Sequence, residues 1–128
     1  MIDELLKLAK ILRDPDKGCP WDRERVLADF PKLLIEETEE IREAINKSDW
    51  TNLKEEIGDV LFNLCLLMQV AEEDGHFTSK EVTDAIEQKI ISRHTWVFGK
   101  DKASTPEEAL ALWKKNKAAE KNPPERAT

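Results

Sequence analysis

The chain has 128 residues, of which 37% are charged and 6% aromatic, and it carries a net charge of −7 at pH 7. That length suits one domain with a single core, near the size at which pairing with a second copy helps. The acidic balance argues against a basic surface for polymeric nucleic acid, and the abundance of Leu, Ile, Ala, Glu and Lys is the composition of helices rather than sheets.

Cys19 and Cys65 make neither a disulfide framework nor a zinc-ligand spacing, and Cys65 reads as a small hydrophobe inside a helix. The longest apolar run, Val60 to Met68, is broken by Asn63 and falls far short of a membrane span, and the acidic N-terminus has no signal-peptide pattern. A soluble protein of the reducing cytoplasm is expected, with no membrane contact.

Ile2, Leu5, Leu6, Leu8, Ala9 and Leu12 recur at helical spacing and predict a first helix ending near Arg13. From Asp14 to Asp22 the Asp-Pro and Lys-Gly dipeptides read as loop, with Pro20 holding Cys19 out of helical geometry. Trp21 in that loop either caps the core, the favoured reading, or stacks on a ligand. A second helix opens between Asp22 and Pro31 and runs to about Asn46, with Pro31 tolerated in its first turn. Ser48 and Asp49 are cap candidates for a third, from Trp50 to about Asp74, stopped by Gly75. Its apolar stripe is broad enough to be central or to lie at an oligomer interface, and Gly58 is expected to admit another backbone closely.

Thr78 to Glu81 has capping-box spacing and opens a fourth helix, with Val82, Ile86, Ile90 and Ile91 expected inward. Lys89 and Arg93 share a face, either as cations favouring the helix dipole or as phosphate ligands. His94 is expected at the surface, and Trp96 to Gly99 form an apolar turn expected to pack down on the bundle. Thr105 to Glu108 is a second capping box with Pro106 at the first helical position. The last helix carries Trp113 and Lys117 on one face, which either hold a base and a phosphate or dock the tail. Residues 122 to 128 are expected to fray, leaving one domain over residues 1 to 121.

The chemistry gathers on the second and third helices, in the pairs Glu37 with Glu40 and Glu56 with Asp59. Glu37 follows Leu33 and Leu34 by one turn and precedes Ile41, Glu40 precedes Ala44, Glu56 sits between Leu53 and Val60, and Asp59 precedes Phe62 and Asn63. All four are therefore expected to turn inward, whereas Glu36, Glu39 and Glu43 form a solvated stripe. Buried acids must be protonated or meet a cation, and carboxylate oxygens suit hard divalent ions, magnesium above all where phosphates complete the shell. A plain solvated acidic face is the competing reading; repetition of the pair on a strongly apolar helix favours the metal.

Four successive stretches then resemble the signatures of the MazG family of nucleoside triphosphate pyrophosphohydrolases. They are Gly18-Cys19-Pro20-Trp21-Asp22, Glu36-Glu37-Thr38-Glu39-Glu40, Glu56-Ile57-Gly58-Asp59, and Arg93-His94-Thr95-Trp96-Val97-Phe98-Gly99. The resemblance implies an all-α fold, a four- to five-helix bundle packed as a homodimer or dimer of dimers. It implies hydrolysis of ribo- or deoxynucleoside triphosphates to monophosphate and pyrophosphate, as house-cleaning of the nucleotide pool. Glu37, Glu40, Glu56 and Asp59 match the family's Mg²⁺ ligands, with Mn²⁺ as a substitute, and Glu36 matches a carboxylate that supports them or activates water. Leu33, Lys54 and Glu55 fall in stretches that line the nucleotide site, Lys89 and Arg93 match a triphosphate-binding pair, and Trp113 with Lys117 matches a nucleotide contact; Trp21 joins the substrate-binding set. Arg25, Val26 and Leu27 stand where members often carry Gln-Thr-His, Thr95-Trp96 replaces a common Pro-His, and long bacterial members carry two such domains in tandem. A relative specialised for one substrate, such as dUTP, fits the same residues. The rival from another class is a non-catalytic helical module that dimerises through Val60 to Met68 and offers an acidic, metal-binding face to partners.

Overall fold

The computed structural model describes residues 2–121, and the expected C-terminal tail at 122–128 lies outside the described residues. Among the described residues every regular element is helical. They run as α1 (Ile2–Leu12), α2 (Pro20–Arg23), a 3₁₀ turn (Leu27–Asp29), α3 (Phe30–Asn46), α4 (Trp50–Glu73), α5 (Ser79–Arg93), α6 (Thr95–Phe98) and α7 (Pro106–Lys121). Five of these exceed one turn or so, in keeping with the expected all-α class. The chain forms two compact units, one up to Ser79 and one from Lys80 onward.

In the first unit α1 and α3 both pack on α4. Ala9 from α1, Phe30 from α3 and Cys65, Leu66 and Val70 from α4 are buried together, flanked by Ile2, Leu5, Leu6, Leu27, Leu34, Phe62, Leu67 and Met68. Phe30 is 1% exposed, so its ring alone contributes about 2–3 kcal/mol of burial. Cys65 fills the core as a small apolar residue, and burial pushes its thiol pKa up.

Local chemistry closes the α3–α4 hairpin. The Ser48 amide donates to the Ile45 carbonyl at 3.1 Å and the Asp49 amide to that of Ala44 at 2.9 Å, with Ser48 left-handed at φ 52°. These are the two bonds of a Schellman ending, made without the usual glycine. Asp49 then caps α4, its carboxylate accepting from the Asn52 amide at 3.1 Å. α4 ends on the same motif, with Gly75 at φ 78° and the His76 amide donating to the Ala71 carbonyl at 3.0 Å.

Arg13 ties the loop after α1 to α4. Its guanidinium donates to both oxygens of Glu73, at 2.6 and 3.1 Å, and to the carbonyls of Asp22 and Arg25 at 2.6 and 2.8 Å. The loop thus held is shorter than expected, because Pro20 opens a one-turn helix, a position where its missing N–H costs nothing. Gly18 is required there: a Cβ would strike the Leu12 carbonyl oxygen and lie 2.6 Å from that of Asp14. Gly58 is different from the expectation, since a Cβ on it would meet nothing within 4 Å. It lies on the exposed side of α4, beside the half-exposed Ile57, Leu61 and Leu64.

In the second unit, α6 packs on α7. The Glu108 amide donates to Thr105 Oγ1 at 3.2 Å, and the Glu108 carboxylate accepts from the Ser104 amide at 3.1 Å, so the second capping box forms with its return bond shifted one residue. The inward expectation for α5 holds only in part: Val82 is half-buried, but the isoleucines are not. Ile86, Ile90 and Ile91 are 48, 45 and 45% exposed, and Val97 and Phe98, expected to pack down, are exposed as well. Helical spacing aligns those side chains on a face without supplying a surface to cover it.

Candidate metal and nucleotide site

The hairpin brings the acidic pairs to each other. Glu37 on α3 is half-buried, Glu56 on α4 is buried, and Asp59 one turn further along is exposed; one carboxylate oxygen of each lies within 4.8 Å of the others. Glu40 touches Glu56 and Glu37 through its carboxyl group and is exposed. The inward register therefore holds for one residue of each pair. A step of three residues turns a helix about 300°, leaving the second residue roughly 60° off the line of closest approach.

Repulsion inside the group appears in its acidities. The Glu40 pKa is raised by its hydrogen bond and charge contact with Glu56, with burial adding to the effect. For Glu56, the hydrogen bond with Glu40 lowers the pKa, but that with Glu37, burial, and the charges of Glu37 and Asp59 outweigh it, and the net shift is upward. Glu37 Oε2 and Glu56 Oε2 are buried with no hydrogen-bond partner. Two orphaned acceptors on facing helices, amid further carboxylates, fit a divalent cation: the donor set is all oxygen, and no ion pair to these carboxylates occurs among the described residues. Glu36, Lys54 and Glu55 are exposed outside this group and Leu33 is half-buried on α3.

Trp21 does not cap the core. It is 53% exposed, and the Arg25 guanidinium lies 4.1 Å from its ring centroid. Arg25 reaches it because its Nε donates to the Trp21 carbonyl at 3.0 Å across one helical turn.

The second unit gathers the cationic candidates around Trp113, with Arg93 Cζ 5.4 Å and Lys117 Nζ 5.0 Å from its centroid. Two residues not singled out in the sequence hold this group. Glu120 binds Arg93 at 2.8 Å and accepts from Ser92 Oγ at 2.9 Å, and Asn116 Nδ2 donates to the Arg93 carbonyl at 3.1 Å and to Thr95 Oγ1 at 2.9 Å. The bond from Arg93, then that from Ser92, holds the Glu120 carboxyl below its ordinary pKa, and the charge of Lys89 adds to the effect. Asn116 lies three residues after Trp113 and Glu120 three after Lys117, so each neighbours a candidate on α7, but that spacing does not reveal the partner on α5. His94 is half-buried, its Nδ1 2.7 Å from the Ile90 carbonyl oxygen.

The chain resembles known proteins in sequence and in fold. Residues 28–98 match the family described as the MazG nucleotide pyrophosphohydrolase domain. The nucleoside triphosphate pyrophosphohydrolase of Escherichia coli K12 is 39% identical over 120 residues, covering 94% of this chain and 46% of that protein. The nucleoside triphosphate pyrophosphohydrolase/pyrophosphatase MazG of Thermotoga maritima is 37% identical over 121 residues, with the same two shares. The crystal structure of a MazG-related protein from Thermotoga maritima superposes with a TM-score of 0.76 at 33% identity, covering 91% of this chain and 98% of that one. The chain belongs to the MazG nucleotide pyrophosphohydrolase domain family. It spans about half the length of the two pyrophosphohydrolases it matches.

Proposed function

We propose that the chain hydrolyses nucleoside triphosphates, ribo or deoxy, to nucleoside monophosphate and pyrophosphate, with Mg²⁺ as the physiological cation and Mn²⁺ as a substitute. The observation that carries this reading is the facing of Glu37 and Glu56, each with a buried unpaired oxygen, in a family whose relatives are named for that reaction. Glu37, Glu40, Glu56 and Asp59 would hold the metal, which supplies positive charge to offset that of the triphosphate and of the departing pyrophosphate. Lys89, Arg93 and Lys117 bind phosphate oxygens and share the charge that develops as the bond breaks. Trp113, with Leu33, Lys54, Glu55 and Trp21, contributes to nucleoside binding. Glu36, exposed on α3 beside Glu37, orients the attacking water and takes its proton.

In the cell this activity clears surplus or damaged nucleotides, and the free thiols of Cys19 and Cys65 suit the reducing cytoplasm. The half-exposed Ile57, Leu61 and Leu64 on α4 support a second copy of the chain as partner. Incubating the purified chain with a panel of triphosphates and Mg²⁺, and resolving the products, tests the reading. Monophosphate with pyrophosphate is expected; diphosphate with orthophosphate, or no turnover of any nucleotide, would refute it.

A further inference from the structure

Beside Trp113 the second unit holds an open pocket of about 480 Å³ lined by Trp96, Pro106, Ala109, Leu110 and Trp113. No charged side chain lines it, and Leu110 is 51% exposed, so apolar surface is left uncovered there. Small-molecule sites share this character of apolar and aromatic walls with charge at one end. The charge here is Lys117 together with Arg93, which is shared with Glu120 at 2.8 Å; both cations lie within 5.4 Å of the Trp113 centroid. A ligand that fits both parts has a flat aromatic body and an anionic tail.

We propose that this pocket takes the nucleobase and that Trp96 is its specificity-determining wall, conferring a preference for purine over pyrimidine triphosphates. The inference rests on the nucleotide reading above and deepens it. Trp96 stays at the pocket because α6 is pinned on both sides. Asn116 Nδ2 donates to Thr95 Oγ1, and Thr95 Oγ1 donates to Asp101 at 2.7 Å. His94 lies against the Trp96 ring, centroids 5.0 Å apart and tilted by 43°. A two-ring base overlaps an indole over more area than a one-ring base, so stacking on Trp96 and Trp113 discriminates by size without reading hydrogen-bond edges.

The test compares the full chain with Trp96→Ala and Trp96→Phe on ATP, GTP, CTP and UTP with Mg²⁺. Trp96→Ala is expected to raise KM for ATP and GTP roughly 5- to 150-fold, the range for loss of one base–aromatic stack, and to raise it less for CTP and UTP. kcat stays within about twofold because the substitution removes binding common to ground and transition states. Trp96→Phe keeps most of the purine preference. Unchanged purine KM in Trp96→Ala, or equal weakening of all four substrates, would overturn the assignment. Should the parent chain hydrolyse none of them, the hydrolase reading falls and binding judges the pocket. The indole NMR signals of Trp96 and Trp113 then either shift with α,β-methylene-ATP, with the Trp113 shift lost or much reduced in Trp96→Ala, or stay still, which rejects the pocket.

Discussion

Glu37 on α3 and Glu56 on α4 face each other across the hairpin, each with a buried oxygen that no donor reaches. An unpaired buried acceptor costs about 1–3 kcal/mol, and carboxylates in one place repel each other besides. The result is a site of high anionic charge, which a bound cation would relieve.

Glu56→Gln tests that relief. Removing one charge is expected to leave helical content intact and Tm in metal-free buffer unchanged or higher. Added Mg²⁺ should raise the Tm of the parent and not that of the variant, and turnover should fall by more than about 100-fold, beyond the range seen for groups that only support a ligand. Circular dichroism, thermal melts with and without Mg²⁺, and a pyrophosphate assay read these outcomes. A variant that retains both the metal response and turnover removes Glu56 from the ligand set.

Arg13 is the second point of stress. Its side chain is 9% exposed and also feeds two backbone carbonyls, so Arg13→Met is expected to cost about 2–3 kcal/mol in urea unfolding. Glu73→Gln should cost only about 1 kcal/mol, because the Glu73 side chain is 35% exposed and solvent screens the pair. The bond from Arg13 holds the Glu73 pKa down, against the opposing pull of burial. Its contribution is therefore fully present above the unfolded value near ~4.3 and is lost as pH falls through the lowered folded value. The parent-minus-Glu73→Gln stability difference should be flat at neutral pH and shrink below about pH 4. A difference that grows in acid contradicts the pairing.

Ser48→Gly should stabilise the protein. Ser48 occupies the left-handed region at φ 52°, where a side chain is strained and glycine is not. A gain of roughly 0.5–1 kcal/mol is expected after the entropy cost of glycine in the unfolded chain, read as a rise in Tm with activity unchanged.

Gly18→Ala should do the reverse. Its Cβ meets backbone atoms of Leu12 and Asp14 rather than a yielding side chain, so the loop must move, at about 1–3 kcal/mol. Urea unfolding measures the loss. A neutral result would show that the turn from α1 to α2 has slack the close approach does not suggest.

Several features were legible residue by residue. Asp49 caps α4, Pro31 lies in the first turn of α3, Gly75 ends α4 and Thr105 caps α7, each as the sequence implies. The short helix at Pro20 reads as loop in the sequence because one turn is too little chain to show periodicity. Glu120 and Asn116 escaped notice because a polar residue on a charged helix carries no mark of its partner; only Arg93, from another helix, makes Glu120 part of the cationic group. The exposure of Ile86 and Ile90 was likewise invisible, since an apolar stripe states what could be covered and not what covers it.

By itself, then, the sequence determined the helices, their ends and the identity of the acids, because caps, turns and periodicity act over a few residues. The tertiary structure alone decided which acids meet, how deeply, and which indoles share a pocket. Two helices touch along a single line, so the roughly 60° between positions three apart separates a buried Glu56 from an exposed Asp59. Helix geometry fixes that angle, but which of the two residues lies on the line depends on how α4 is turned by the packing of Phe30, Cys65 and Val70 in the core.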